Sequence, residues 1–254
     1  MLNQPLPIMK KFTLFITLLF AVSLAFAQGP TIHDPNAKAT ITQEQIDAWR
    51  DKVPKAPASG GVVTLNFEGI GTNVPIGDYY NGGAGPNYGV SFSSNALAII
   101  ENGYGGTGNF TNEPSPYACL FFMTGSPVMN VAAGFTTGFS FYFTSSNTIT
   151  LFVYDGLDGT GNLLASQSFP VNYQNGGCSG AGFCHWDPVG IGFSGTAKSI
   201  VFTGAANQCG FDDVTFGSIT PGPTAVPTLS EWGLIIMGLT LLAFGTFYIL
   251  KMRG

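Results

Sequence analysis

Thr137-Gly-Phe-Ser-Phe-Tyr-Phe143 and Ile149-Thr-Leu-Phe-Val-Tyr154, parted by Thr144-Ser-Ser-Asn-Thr148, form the stretch on which the fold turns. Phe139, Phe141 and Phe143 recur at every second position, as do Ile149, Leu151 and Val153. Successive side chains of an extended chain point to opposite sides, so a period of two gathers these residues on one face of each strand. Both faces are expected in a core. The Ser- and Thr-rich link predicts a hairpin that sets the two strands side by side, centrally in one sheet.

Outward from this stretch, short β-branched and aromatic runs recur between turn signals at Val62–Phe67, Tyr88–Phe92, Ala118–Met123, Ser199–Thr203 and Phe211–Phe216. Between Gly60 and the C-terminal apolar run no segment keeps a helical period for three turns. Residues 60–218 therefore predict one all-β domain, an antiparallel two-sheet sandwich of jelly-roll type. Its length of about 160 residues suffices for a substantial core. Asp155-Gly-Leu-Asp158-Gly-Thr-Gly-Asn162 places Leu157, Gly159 and Ser166 where an EF-hand loop needs oxygen ligands. It reads instead as a Gly-rich hairpin loop leading into Leu163–Phe169.

Only 9% of the 254 residues are charged, while Gly at 35 and Phe at 22 are abundant. From Gly60 to Ser218 the acids are Glu68, Asp78, Glu101, Glu113, Asp155, Asp158, Asp187, Asp212 and Asp213, against Lys198 alone, a net charge of −8. Such a domain repels phosphate backbones, which argues against nucleic acid. It suits a cation, and it also keeps an apolar-rich domain in solution.

Met9-Lys-Lys11, the apolar run Phe12–Phe26 and Ala25-Phe-Ala27 read as a secretory signal peptide over residues 1–27, cut before Gln28. Residues 28–59 follow as a helical segment and linker. Thr42 with Gln45 fits a capping box, and Ile46, Trp49 and Val53 stand at helical spacing. One short amphipathic helix is expected, exposed as a spacer or docked through Trp49, and then a linker containing Pro54 and Pro57. Outside the cytoplasm the four cysteines favour disulfides. Cys178 and Cys184 bracket five residues that can close a small loop, which leaves Cys119 to pair with Cys209. A metal site of Cys178, Cys184 and His185 is the rival, disfavoured by the adjacency of Cys184 and His185. With His33 and His185 as the mature chain's histidines and no nucleophile-elbow motif, catalysis is not expected.

After a Pro/Gly tether at residues 219–225, Leu234–Leu250 is a run of seventeen uncharged residues followed by Lys251 and Arg253. That length approaches what a helix needs to cross a bilayer, and the bases hold its end in the cytoplasm. A C-terminal transmembrane helix within residues 226–254 is the expectation. Ahead of the run, Val226, Pro227, Thr228, Leu229, Ser230, Glu231, Trp232 and Gly233 resemble the sorting signal of the IPTL-CTERM family, a relative of the PEP-CTERM signals of Gram-negative exported proteins. Valine stands where isoleucine names the family. The resemblance implies anchoring in the cytoplasmic membrane, recognition by an exosortase-like sorting peptidase, and transfer to the cell surface or extracellular matrix.

Leu65-Asn-Phe-Glu68 and Phe211-Asp-Asp-Val214 are similar to the terminal strands of jelly-roll modules such as MAM domains and several carbohydrate-binding modules. That similarity implies a structural calcium held by Glu68 with Asp212 or Asp213 and backbone carbonyls. Asp213 is preferred, since adjacent strand residues face opposite ways; solvated turn carboxylates are the alternative. Tyr79, Tyr80, Tyr88, Tyr104, Tyr117, Tyr173 and Trp186, in Gly- and Asn-rich loops, are candidate platforms for sugar rings, with burial the competing role. The functional expectation is an exported structural or adhesive protein of the envelope or biofilm matrix. The alternatives are a carbohydrate-binding module that meets extracellular polysaccharide and, more weakly, a polysaccharide-acting enzyme.

Overall fold

The computed structural model describes residues 30–53, 61–178 and 182–222, and beyond them Thr240 alone. The expected signal peptide, the sorting motif and, Thr240 apart, the C-terminal apolar run expected to form a transmembrane helix lie outside these residues. Among the described residues no helix is long and apolar enough to cross a membrane.

One helix, α1 (Gln43–Arg50), precedes the strands β1 (Val63–Leu65), β2 (Val74–Pro75), β3 (Val90–Phe92), β4 (Leu97–Ile100), β5 (Ala118–Phe121), β6 (Val128–Phe135), β7 (Gly138–Ser145), β8 (Ile149–Tyr154), β9 (Leu163–Phe169), β10 (Asp187–Gly192), β11 (Ala197–Thr203) and β12 (Cys209–Phe216). They make two antiparallel sheets. The first runs β10-β7-β12-β5-β4-β2 with β1 added on β12, and the second runs β3-β6-β11-β8-β9. The all-β two-sheet sandwich is as the alternation predicts. The hairpin between β7 and β8 is not: β7 pairs with β10 and β12, whereas β8 pairs with β9 and β11 in the opposite sheet. Residues 146–148 cross from one sheet to the other. Alternation tells which residues face a core but not whether two such faces lie in one plane or oppose each other. Here they oppose, and Phe139, Phe141, Phe143, Ile149, Leu151 and Val153 fill the space between the sheets.

The aromatic rings knit the sheets together. Phe139 meets Phe202 and Phe141 meets Phe169, both edge to face across the sandwich at centroid distances of 5.9 and 5.6 Å. A second, smaller core lies on the outer face of the first sheet, formed by Ile32, Ile99, Phe110, Cys119, Phe121, Phe183 and Trp186. It explains why β5 reads as an unbroken apolar run: Ala118 and Leu120 face the main core, while Cys119 and Phe121 face the second. Gly210 permits the closure, since a Cβ there would stand 2.6 Å from Ile32 and 3.2 Å from Trp186.

The segment ahead of the sandwich is part of it. Ile32 is fully buried, its N–H donates to the Asn207 carbonyl, and the His33 N–H donates to Asn207 Oδ1. In α1 the capping box forms as expected, with Thr42 Oγ1 accepting from Gln45 N–H and Gln45 Oε1 from Thr42 N–H. Ile46 and Val53 are buried, Arg50 donates to the Gly69 carbonyl, and Trp49 stacks on Tyr117 at 4.2 Å. An exposed spacer is therefore excluded for α1. At the other end the chain stays bonded to the domain as far as Gly222, whose N–H reaches Thr215 Oγ1.

Candidate metal centre and its surroundings

β12 changes partner along one edge. Its C-terminal half pairs with β1, Leu65 opposite Val214, and its N-terminal half with β5, Phe211 opposite Leu120. Between the two partners the sheet has a gap, and the amides around a gap in a buried sheet need other acceptors. Carboxylates supply them. Glu68 Oε1 accepts from Ala118 N–H at 3.0 Å, Asp212 Oδ2 from Ser115 N–H at 2.9 Å, Asp212 Oδ1 from Asp213 N–H at 2.7 Å, and Glu113 Oε1 from Tyr117 N–H at 3.1 Å. The Ser115 hydroxyl lies against both oxygens of Asp212 at 2.8 Å and within 3.1 Å of the Asn66 carbonyl.

Asp212 and Asp213 do not point to opposite faces. The register of β12 against β7 shifts between Asp212 and Thr215, and Asp213 has φ 46°. This is a bulge, an extra residue that bends the strand and re-aims a side chain. Both carboxyls come to Ser115 as a result. Phe67 (φ 60°) and Tyr117 (φ 107°) flank the same gap in left-handed or otherwise sparse conformations. Three such non-glycine residues around one cluster signify local strain held in place by the surrounding structure.

The gap is buried and lined by carboxyl groups. Glu68 is 5% exposed, Asp213 3% and Asp212 fully buried. Burial pushes the Glu68 carboxyl well above the usual range, against the Ala118 N–H that pulls it down, with Glu113 and Asp213 adding to the rise. Burial raises Asp212 as well, helped by the charge of Asp213 and opposed by its bonds to Ser115. Asp213 is pushed up to about 7 by burial, partly offset by Ser115. Burial likewise lifts Glu113 to about 7, and Glu101 adds to the rise. Two buried oxygens, Glu68 Oε2 and Asp213 Oδ2, have no hydrogen-bond partner.

Of the three predicted calcium ligands, then, Glu68 and Asp213 each offer a free oxygen, while Asp212 is engaged by amides and the Ser115 hydroxyl. Both are hard oxygens of the kind calcium takes, and calcium needs six to eight such donors. Among the described residues no three or more His, Cys, Asp or Glu side chains gather around one point as a metal cage. Carbonyls would have to complete the set. The sequence reading missed Ser115 and Glu113; the only local signal was a Pro-bounded acidic turn, Glu113-Pro-Ser-Pro116.

The remaining predicted sites fall apart or come together as follows. Cys178 and Cys184 are disulfide-bonded with Cα atoms 5.7 Å apart, which removes the rival metal site. Cys119 and Cys209 are both buried free thiols. They sit on neighbouring strands, but Cys209 faces the main core and Cys119 the outer one, so the sheet separates their sulfur atoms. His185 pairs with Asp187 at 2.9 Å, and Asp187 also accepts from Asn172. Of the seven candidate aromatics, Tyr79, Tyr80 and Trp186 are buried. Tyr79 OH donates to the Glu68 carbonyl, Tyr80 OH accepts from Phe67 N–H, and Trp186 Nε1–H donates to the Thr111 carbonyl. Tyr88, Tyr117 and Tyr173 are half-buried, and Tyr104 alone of the seven is exposed, at 48%.

The molecule is thus a two-sheet antiparallel β-sandwich, with a strained carboxylate cluster where its first and last strands meet, followed by a C-terminal sorting signal. That signal is an IPTL-CTERM motif, matched at residues 224–246. No curated protein matches the chain. Among solved structures it is similar to a carbohydrate-binding module, CBM6cm-2, from Cellvibrio mixtus lichenase 5A in complex with cellotriose, at 10% identity and TM-score 0.30 over 48% of this chain and 86% of that one. It is also similar to a glycoside hydrolase family 43 arabinoxylan arabinofuranohydrolase from Bacillus subtilis in complex with cellotetraose, at 18% identity and TM-score 0.33 over 50% of this chain and 25% of that one. Likeness at this level carries nothing about ligand or activity.

Proposed function

We propose that this is an exported, structural or adhesive protein of a Gram-negative cell surface or extracellular matrix, handed over by an exosortase-like sorting peptidase. The observation that carries the reading is the order of parts at the C-terminus: the motif Val226–Gly233, the uncharged run Leu234–Leu250, then Lys251 and Arg253. Hydrophobic anchoring alone requires no such defined polar motif before the apolar run. The signal peptide at residues 1–27 would start the export, and the β-sandwich, of jelly-roll type, would be the displayed part. Its carboxylates act as fasteners of a strand junction, which favours a structural role over an enzymatic one. A calcium ion shared by Glu68 and Asp213 would neutralise the junction outside the cell, where calcium is plentiful.

Intact mass of the protein recovered from the cell surface tests this. A chain starting at Gln28 and lacking the C-terminal apolar run is expected. A chain that keeps both ends and stays with the cytoplasmic fraction would overturn the reading. The second reading, a carbohydrate-binding module, is favoured by one feature, the exposed ring of Tyr104 beside carboxylates.

A further inference from the structure

Tyr104 closes a short 3-10 turn, Asn102–Tyr104, whose successor Gly105 takes φ 86°. Its ring packs edge-on against Tyr117 at 4.4 Å, and Tyr117 in turn stacks on Trp49 at 4.2 Å and 17°. Two rings from two other segments, Tyr117 in contact and Trp49 behind it, therefore back one that remains 48% exposed. A flat, immobilised and half-exposed aromatic surface is what a sugar ring or an ammonium group docks on, because little side-chain entropy remains to be lost.

The groups around this ring set the ligand's charge. The Glu101 carboxylate folds over the same turn, its Oε1 3.0 Å from where a Cβ on Gly103 would be. Glu101 is hydrogen-bonded to Glu113, so the pair shares a proton and carries one negative charge, within electrostatic reach of Tyr104. Glu113 is anchored in turn by the Tyr117 N–H at 3.1 Å. Of the Lys and Arg residues among the described ones, Lys38, Arg50 and Lys52 belong to the N-terminal segment, where Arg50 is engaged by Asp47 and the Gly69 carbonyl, and Lys198 lies on β11 of the opposite sheet. An anionic polysaccharide would be repelled here, whereas a protonated amine can take the place of the shared proton between the two carboxyls.

We propose that Tyr104, Glu101 and Glu113 form a binding subsite for a polysaccharide that carries free amino groups, such as a polymer of unacetylated glucosamine. The sugar ring lies on Tyr104 and its ammonium group is held by the Glu101–Glu113 pair. The inference rests on display of the domain outside the cell, where such a polymer would be met.

The test is calorimetric binding of glucosamine hexamer to the full chain purified in mild detergent, with N-acetylglucosamine hexamer and polygalacturonate as comparisons. The glucosamine hexamer is expected to bind at least about tenfold more tightly than the acetylated one, and polygalacturonate not at all. Tyr104→Ala should weaken binding about tenfold or more, while Tyr104→Phe, which keeps the ring, stays within about twofold of the parent. Glu101→Gln should remove the preference for the free amine. Equal affinity for the two hexamers, or glucosamine binding untouched by Tyr104→Ala, would overturn the proposal. Neither result bears on export, which is read from intact mass in cells; a chain found in the cytoplasm would remove the ligand without altering these affinities.

Discussion

Glu68, three residues beyond β1, and Asp213, in the bulge of β12, each bury a carboxylate oxygen that has no hydrogen-bond partner. The register that sets Leu65 against Val214 brings the two into each other's electrostatic reach. Isolated negative charge in so buried a place is costly, so either protons or a cation must reside there.

Calcium is therefore expected to stabilise the full chain. At a concentration roughly 100 times its dissociation constant the gain would be about 3 kcal/mol. Thermal melts with calcium and with a chelator measure it, and Glu68→Gln should erase the difference between them. Melts that coincide in the parent protein would refute the site.

The same groups predict how stability depends on pH when calcium is absent. Asp213 and Glu113 are both raised to about 7 in the fold, well above their unfolded values. The folded state thus holds protons that the unfolded state has released, and stability falls as pH rises from about 4 through about 7. Chelated protein should melt at least about 5 °C lower at pH 8 than at pH 5, with calcium recovering most of the loss. A melting temperature that rises over this range would contradict the assignment.

Trp49 joins α1 to the sandwich through Tyr117. Trp49→Ala should cost about 2 kcal/mol, and α1 should then be cut by protease before the strands are. Urea unfolding and limited proteolysis check both effects; an unchanged midpoint would mean that the stack contributes nothing.

One disulfide and two buried thiols predict a specific alkylation pattern. Native protein should resist alkylation at Cys119 and Cys209. Unfolding without a reductant should expose just those two, and reduction should add Cys178 and Cys184. Protection of Cys119 and Cys209 in unfolded, unreduced protein would show that they are bonded after all.

In the main core, Phe141 touches Phe139, Phe143, Phe169 and Phe211. Phe141→Ala should lose about 3–5 kcal/mol. A loss below about 1 kcal/mol by urea unfolding would show that the sheets close over the cavity.

Local chemistry wrote part of this protein directly into the chain. Alternation at Phe139–Phe143 and Ile149–Val153 specified strands and their buried faces, because side-chain direction in an extended chain depends only on position. The Thr42–Gln45 cap and the loop from Asp155 to Asn162 involve residues close in sequence, so their geometry followed from residue type. The motif at Val226–Gly233 was likewise readable, since a sorting signal is recognised as a linear segment.

What only the tertiary structure decided is which distant segments meet. Whether β7 and β8 share a sheet depends on where residues 146–148 turn, and no periodicity records that. The faces occupied by Cys119 and Cys209 follow from a register between β5 and β12, strands nearly ninety residues apart. Asp212 and Asp213 share a side because a bulge breaks the period of two at that point. The gap that they fill with Glu68, Ser115 and Glu113 exists because β12 changes partner from β1 to β5. Pairing between segments far apart in sequence is set by packing of the whole domain, and that is why the carboxylate cluster could be named in part but not assembled from the sequence.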